Sequence, residues 1–156
     1  MRYFCFRELA EIKIKIVKAD ERHRKDINRL IREANIGDGI EGPVKNFWLA
    51  KLDDKIVGCA GLNFVGNKSA IFTHLVVERE YRHRGIGSAL IVYRKRIAKE
   101  HDTDTLALIT MYYHFNFYKR RGFKVVKRAD LPNHLKNYWM FTAERYKKCA
   151  VLLQSI

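Results

Sequence analysis

LVVEREYRHRGIGSAL, Leu75 to Leu90, is the stretch on which the reading of this chain turns. It begins inside SAIFTHLVV (Ser69–Val77), an apolar, partly β-branched run that reads as a buried strand. Glu78 to Arg84 follow as a charged turn, and Gly85-Ile86-Gly87-Ser88 opens the next segment. There Ala89, Leu90, Val92, Ile97 and Ala98 recur on one stripe, which predicts a helix to about Lys99. Every part of this strand–turn–helix junction suits an anion. Glycines at 85 and 87 let the main chain approach a bulky group with no Cβ in the way. The N–H groups of a first helical turn have no intrahelical acceptor, and the helix dipole reinforces them. Arg82, His83 and Arg84 add positive charge at the same edge. The physical reading is a diphosphate cradle. It is not a P-loop, since no Gly-Lys-Ser/Thr follows, nor the GxGxxG dinucleotide turn, since the third glycine position is Leu90.

Upstream, EIKIKIV (11–17) alternates apolar with charged residues as a half-buried strand does, and 24–35 reads as an amphipathic helix through Ile27, Leu30, Ile31 and Ala34. Asn35–Pro43, with three glycines and a proline, is a loop suited to facing a substrate. Phe47–Lys51 and Lys55–Asn63 form a hairpin about Leu52-Asp53-Asp54. Downstream, Thr105–Thr110 is a short buried strand, Phe115–Arg121 a short helix stopped by Gly122, Phe123–Lys127 a strand, and Cys149–Leu153 a last one. Hairpins first and strand–helix alternation afterwards imply an α/β (α+β) three-layer sandwich, a mixed, largely antiparallel sheet with helices on both faces. No repeat and no Ser/Gly/Pro linker interrupts residues 1–156, so one domain is expected.

The junction resembles the phosphate-binding signature of the GNAT superfamily of N-acetyltransferases, [RQ]-x-x-G-x-[GA], in Arg82-His83-Arg84-Gly85-Ile86-Gly87. A second family segment, FYxKxGF, is similar to Phe117-Tyr118-Lys119-Arg120-Arg121-Gly122-Phe123, with Arg for the middle Lys. The resemblance covers about residues 11–128, and only weakly 129–156. It implies acetyl-CoA as co-substrate and transfer of its acetyl group to a primary amine by direct attack in a ternary complex. The acceptor would be a small molecule, an amino acid among them, or a protein. By the same resemblance, the N–H groups of Arg84, Gly85, Ile86, Gly87 and Ser88 hold the pyrophosphate, and Arg82 and His83 are further coenzyme-binding residues. Leu75, Val76 and Val77 pair with the pantetheine arm as an added strand would. The Val77 N–H is the candidate contact for the thioester oxygen, and Tyr118 is the candidate proton donor to the leaving thiolate. Lys119, with Arg120 and Arg121, either reaches the 3′-phosphate or forms a solvated face.

The sequence departs from the family where many members carry a carboxylate, eleven residues before the motif arginine, to receive the amine proton. That position is Ile71. Thr73 can orient a water but is no base. His74 is the nearest titratable side chain; simple alternation turns it to the other face, and a bulge would turn it back. Glu33 and Glu41 are further candidates. Met111 and His114 stand where the family often has Asn and Ala, and His114 is either a substrate contact or solvated. The tail Arg128–Tyr138 has weak similarity to N-acetylglutamate-synthase-like members through Arg-x-x-Leu-Pro, and a Leu-Pro turn before a closing strand accounts for it as well.

Composition bounds the remaining classes. With 47% hydrophobic residues the chain has material for a core, and no apolar run is long enough to span a membrane. Cys5, Cys59 and Cys149 are far apart and the six histidines are scattered, which favours reduced thiols, a cytoplasmic location and no metal. The 31 Lys and Arg against 17 Asp and Glu give a net charge of +14. Residues 1–78 hold only +3 of it, and 79–99 and 112–156 hold +6 and +8 around a short acidic stretch. Such an excess points to an anionic partner, whether nucleic acid, an acidic membrane or a phosphorylated small molecule such as the coenzyme, or else to a solvated Lys/Arg surface. A basic nucleic-acid-binding module, or an acetyl-CoA-binding domain without catalysis, is the alternative function; no RNA- or DNA-binding motif accompanies the charge. A monomer or a homodimer is compatible with the chain.

Overall fold

A computed structural model describes residues 13–156. Cys5 and the first residues of the expected N-terminal strand lie outside them. Seven strands form one sheet: β1 (Ile14–Lys18), β2 (Phe47–Leu52), β3 (Lys55–Val65), β4 (Ser69–Val77), β5 (Thr105–Thr110), β6 (Lys124–Val126) and β7 (Ala150–Ser155). Their order is β1-β2-β3-β4-β5-β7-β6. The β1–β2, β2–β3, β5–β7 and β6–β7 pairs are antiparallel, and β4–β5 is parallel. The helices are α1 (Arg24–Glu33), α2 (Ile86–Glu100), α3 (Phe115–Lys119), α4 (Asn133–Lys136) and α5 (Trp139–Thr142). The mixed, largely antiparallel sheet with helices is as the sequence implies.

By its internal contacts the chain divides into two compact units, one containing 13–61 with His74–Tyr93, the other Leu62–Thr73 with Arg94–Ile156. In the first unit, sheet side chains alternate between two helices. Phe47, Leu49, Cys59 and Val76 bury against Ile27, Leu30 and Ile31 of α1, while Ala50, Val57 and Ala60 bury against Ile86 and Leu90 of α2. The α1 stripe works because its apolar residues are three and four apart. Asp20 starts the preceding turn with a reciprocal cap, its carboxylate accepting from the Arg22 N–H while its own N–H donates to His23 Nδ1 at 3.0 Å. The Gly-rich loop after α1 is fastened to it. Asn28 Oδ1 accepts from the Ile40 N–H at 2.9 Å, and Arg24 donates to the carbonyls of Ile40 and Gly42.

In the second unit, Ile71, Ala107 and Val151 of the sheet bury against Leu131, Leu135, Met140 and Phe141. Arg128 holds the tail there. Its Nε donates to the Phe141 carbonyl at 3.0 Å, Nη1 to Cys149 at 2.9 Å and Nη2 to Tyr146 at 2.8 Å. The Arg-x-x-Leu-Pro segment thus serves the fold, its arginine satisfying three carbonyls of an irregular segment.

Candidate active site

The first unit carries the cradle. After Val77 the chain leaves the sheet through a short turn at Arg79–Tyr81, and the Glu78 N–H donates to the Val57 carbonyl at 2.8 Å. Arg82, the first motif residue, donates its Nε to the Val77 carbonyl at 2.8 Å, tying the cradle to the end of the strand. His83 and Gly85 both adopt left-handed backbone, φ +63° and +83°. Glycine makes that conformation cheap at 85, and nothing lies within 4 Å of where its Cβ would sit. The first intrahelical bond of α2 runs from the Ala89 N–H to the Gly85 carbonyl at 3.0 Å, so the N–H groups of Ile86 and Gly87 precede the ladder. No acidic residue sits in this first turn. Open space at Gly85, unladdered N–H groups and the positive end of a helix dipole are the features an anion can use.

Beside the cradle, charge is held in place rather than left loose. Glu78 accepts from Arg29 at 2.8 Å and pairs with Lys55 at 3.1 Å, and Arg29 also pairs with Glu33 at 3.0 Å. Burial works against the Glu78 carboxylate, but the hydrogen bonds from Arg29 and Lys55 outweigh it and hold its pKa below the usual range. Glu33 is therefore one member of an ion pair on α1, and Glu41 is exposed.

His74 has φ +44°, a left-handed residue inside a strand. Before it, Phe72 lies under the Arg94 guanidinium of α2; after it, Leu75 and Val77 pack with Ile86 and Leu90 of α2. The side facing α2 changes from an even residue to odd ones, as one irregular residue at Thr73–His74 requires. His74 thus lies on the α1 side, its ring tilted against Phe47 of the α1 cluster with centroids 5.6 Å apart. Unbroken alternation would have denied it that side. Ile71 is fully buried in the core.

The second unit carries Tyr118. The α3 helix ends in a turn where the Phe123 N–H donates to the Tyr118 carbonyl at 3.2 Å and Gly122 takes φ +94°, a left-handed stop. The Tyr118 ring meets Phe117 and Phe123 edge-on, at 5.1 and 5.8 Å. Burial pushes its phenol pKa above the ordinary 10.0, and the charges of Arg94 and Arg121 pull part of the way back. Lys119 and Arg120 are exposed, and Arg121 lies over the Phe117 ring at 3.7 Å with Nη1 on the Phe117 carbonyl. His114 sits beside the exposed Tyr113 at 4.5 Å, and Met111 meets the Cys149 sulfur at 3.5 Å. In the same unit the parallel pairing of β4 with β5 covers Ser69–Ile71 opposite Thr105–Ala107, whereas β5 continues against β7 as far as Thr110.

Sequence reasoning missed Arg94. It placed Val92 on the buried stripe of α2, but Val92 is 67% exposed, and the buried stripe runs Leu90, Arg94, Ala98 with Ile91. The signal was present: a spacing of four puts Arg94 between Leu90 and Ala98, where a charge breaks the apolar pattern. Among the described residues no group of three His, Cys, Asp or Glu side chains is placed to hold a metal, and no helix is long and apolar enough to cross a membrane.

Residues 43–125 match the acetyltransferase (GNAT) domain family. The chain is 25% identical over 92 residues to an uncharacterized N-acetyltransferase of Chlorobaculum tepidum, covering 59% of this chain and 58% of that protein. It is 28% identical over 106 residues to a protein of Xenopus tropicalis named "probable N-acetyltransferase camello", covering 65% of this chain and 48% of that one. The chain thus spans about half the length of these curated relatives. In fold it is similar to N-acetylglutamate synthase of Neisseria gonorrhoeae, solved with coenzyme A and N-acetylglutamate, at TM-score 0.79 and 18% identity over 93% of this chain and 35% of that one. The family match extends over more than half of the chain and includes both the Arg82–Ser88 turn and the Tyr118 helix; the chain belongs to the GNAT acetyltransferase family.

Proposed function

We propose that this chain is an N-acetyltransferase, its 156 residues acting as one catalytic domain that moves the acetyl group of acetyl-CoA to a primary amine. The observation that carries this is the start of α2: left-handed Gly85 with open space at its Cβ position, followed by the N–H groups of Ile86 and Gly87. There His83 to Ser88 receive the coenzyme's pyrophosphate, with Arg82 and Arg84 supplying charge. Leu75, Val76 and Val77 offer main-chain groups to the pantetheine arm, and Lys119 takes the 3′-phosphate. In the reaction, the amine lone pair attacks the thioester carbonyl while the Val77 N–H polarises its oxygen. The C–S bond then breaks, Tyr118 gives its phenol proton to the thiolate, and the nitrogen loses a proton to His74, directly or through a water. The half-buried phenol is neutral at physiological pH, as a donor must be. His74 takes the base's part because Ile71 cannot and Glu33 is paired.

The Arg128 guanidinium, held by three carbonyls, gives no support to an amino-acid carboxylate binding there. The acceptor is a small-molecule or protein amine met elsewhere on the domain.

Acetyl-CoA should raise the melting temperature in a saturable way, and free thiol should appear when the right amine is supplied from a panel of amino acids, aminoglycosides, N-terminal peptides and tRNA. Gly85→Val, which strains the turn and fills the cradle, should weaken acetyl-CoA binding tenfold or more. No melting shift at millimolar acetyl-CoA would end the proposal. Binding without turnover on any amine would leave a coenzyme-binding domain, and steeply salt-dependent RNA binding without acetyl-CoA binding would leave a nucleic-acid module.

A further inference from the structure

Arg94 is the bulkiest fully buried side chain among the described residues, 0% exposed. A guanidinium keeps its charge at every pH the fold survives, so burying it carries a desolvation cost that a leucine on the same α2 stripe would avoid. Its surroundings show what the charge is set against. Nη1 donates to the Thr73 carbonyl at 3.4 Å, and the guanidinium carbon lies 4.0 Å from the centroid of the Phe72 ring. Thr73 comes just after the end of the β4–β5 pairing at Ile71, so the guanidinium meets the strand where its parallel neighbour no longer does. Phe72 in turn meets Phe123 at 5.7 Å, and Phe123 meets the Tyr118 ring edge-on at 5.8 Å. One run of packed rings therefore leads from the buried cation to the phenol, all within one compact unit.

We propose that Arg94 is a positioning residue for Tyr118: it fixes the Phe72–Phe123 wall on which the phenol ring stands and holds a permanent positive charge near it. The proposal rests on the reading of Tyr118 as proton donor. Two charged groups bear on the phenol, Arg94 from α2 and Arg121 from the turn after α3, and both favour its ionised form against the effect of burial. Arg121 is itself fixed over Phe117, and its carbonyl accepts from Lys95 Nζ at 2.6 Å. A phenol buried without such charges would hold its proton too tightly to pass it to a thiolate, because transfer slows as the donor weakens. The cation lets a half-buried phenol remain able to donate.

The test compares Arg94→Met and Arg94→Gln, which lose the charge, with Arg94→Lys, which keeps it. Tyrosines are replaced biosynthetically by a fluorotyrosine, whose more acidic phenol titrates where the fold survives, and Tyr118 is followed by fluorine NMR, its signal assigned by its loss in Tyr118→Phe. The expected result is a rise of about one pH unit in the Tyr118 titration for the Met and Gln variants and a much smaller change for Lys. Turnover should fall about tenfold in the neutral variants and recover in the Lys variant, with acetyl-CoA affinity changed far less. Gln keeps a donor for the Thr73 carbonyl if Met does not fold. An unchanged Tyr118 titration in a folded neutral variant, or the same shift in Lys as in Met, would overturn the proposal. If Tyr118→Phe turns over normally, the donor reading fails, while the NMR titration still decides whether Arg94 acts on the phenol.

Discussion

Partial burial of Tyr118 makes ionisation of its phenol a liability for the fold. Its folded pKa lies above the ordinary 10.0, so the folded chain holds this proton more tightly than the unfolded chain does. The stability this contributes is complete below about pH 10 and is lost as pH rises through the folded value. Tyr118→Phe removes that titration, so its melting temperature should decline less than the parent's between about pH 9 and 11, while its kcat falls ten- to a hundredfold at unchanged acetyl-CoA affinity. Glu78 runs the other way. Its carboxylate is held below 4.5 by Arg29 and Lys55 in spite of burial, so its contribution is present above that value and lost as pH falls through the folded one. Glu78→Gln should cost about 1–2 kcal/mol in denaturant unfolding at pH 7 and almost nothing near pH 3. Equal costs at both pH values would assign the loss to packing.

Elements with a backbone requirement written into them were legible, and those fixed by side-chain packing were not. The Arg82–Gly87 turn needs left-handed backbone and an open helix start, and Gly122 needs a left-handed stop; glycines announce both. Ser69–Val77 was legible as one strand, but the irregular residue within it falls on a histidine, where no glycine marks it. The inward Arg94 was hidden because a charge on a helix is ordinarily read as solvated, and the tail because Arg128 acts through carbonyls with no periodic pattern. Gly122 tests the point. At φ +94° a side chain there is strained and also meets Gln154. Gly122→Ala should lower stability by about 1–3 kcal/mol and, by displacing the end of α3, reduce turnover more than acetyl-CoA binding. A melting temperature within a degree of the parent's would show that the stop is not needed.

For the whole molecule, the +14 charge divides unevenly between the compact units: the one holding Tyr118 carries +10 and the one holding the Gly85 cradle only +4. By sequence position the excess flanks the Arg82–Ser88 turn, yet most of it belongs to the unit that holds Tyr118. In the proposed cradle, main-chain N–H groups and a helix dipole would serve a pyrophosphate without help from many lysines. What a broad surplus can do is act at a distance, raising the local concentration of an anion and its association rate, in a way that fades once salt shortens the Debye length. Acetyl-CoA carries several negative charges, whereas acetyl-pantetheine, which has the same reacting end, carries none. If the surplus steers the coenzyme, the association rate of acetyl-CoA should fall roughly tenfold between about 20 mM and 500 mM salt, and that of acetyl-pantetheine should hardly change. The acetyl-CoA dissociation rate should move little, since the cradle's contacts are short-ranged. Stopped-flow measurement of both ligands separates the cases. A salt response confined to dissociation would place the effect in direct contacts and leave the +10 unit without a role in coenzyme capture.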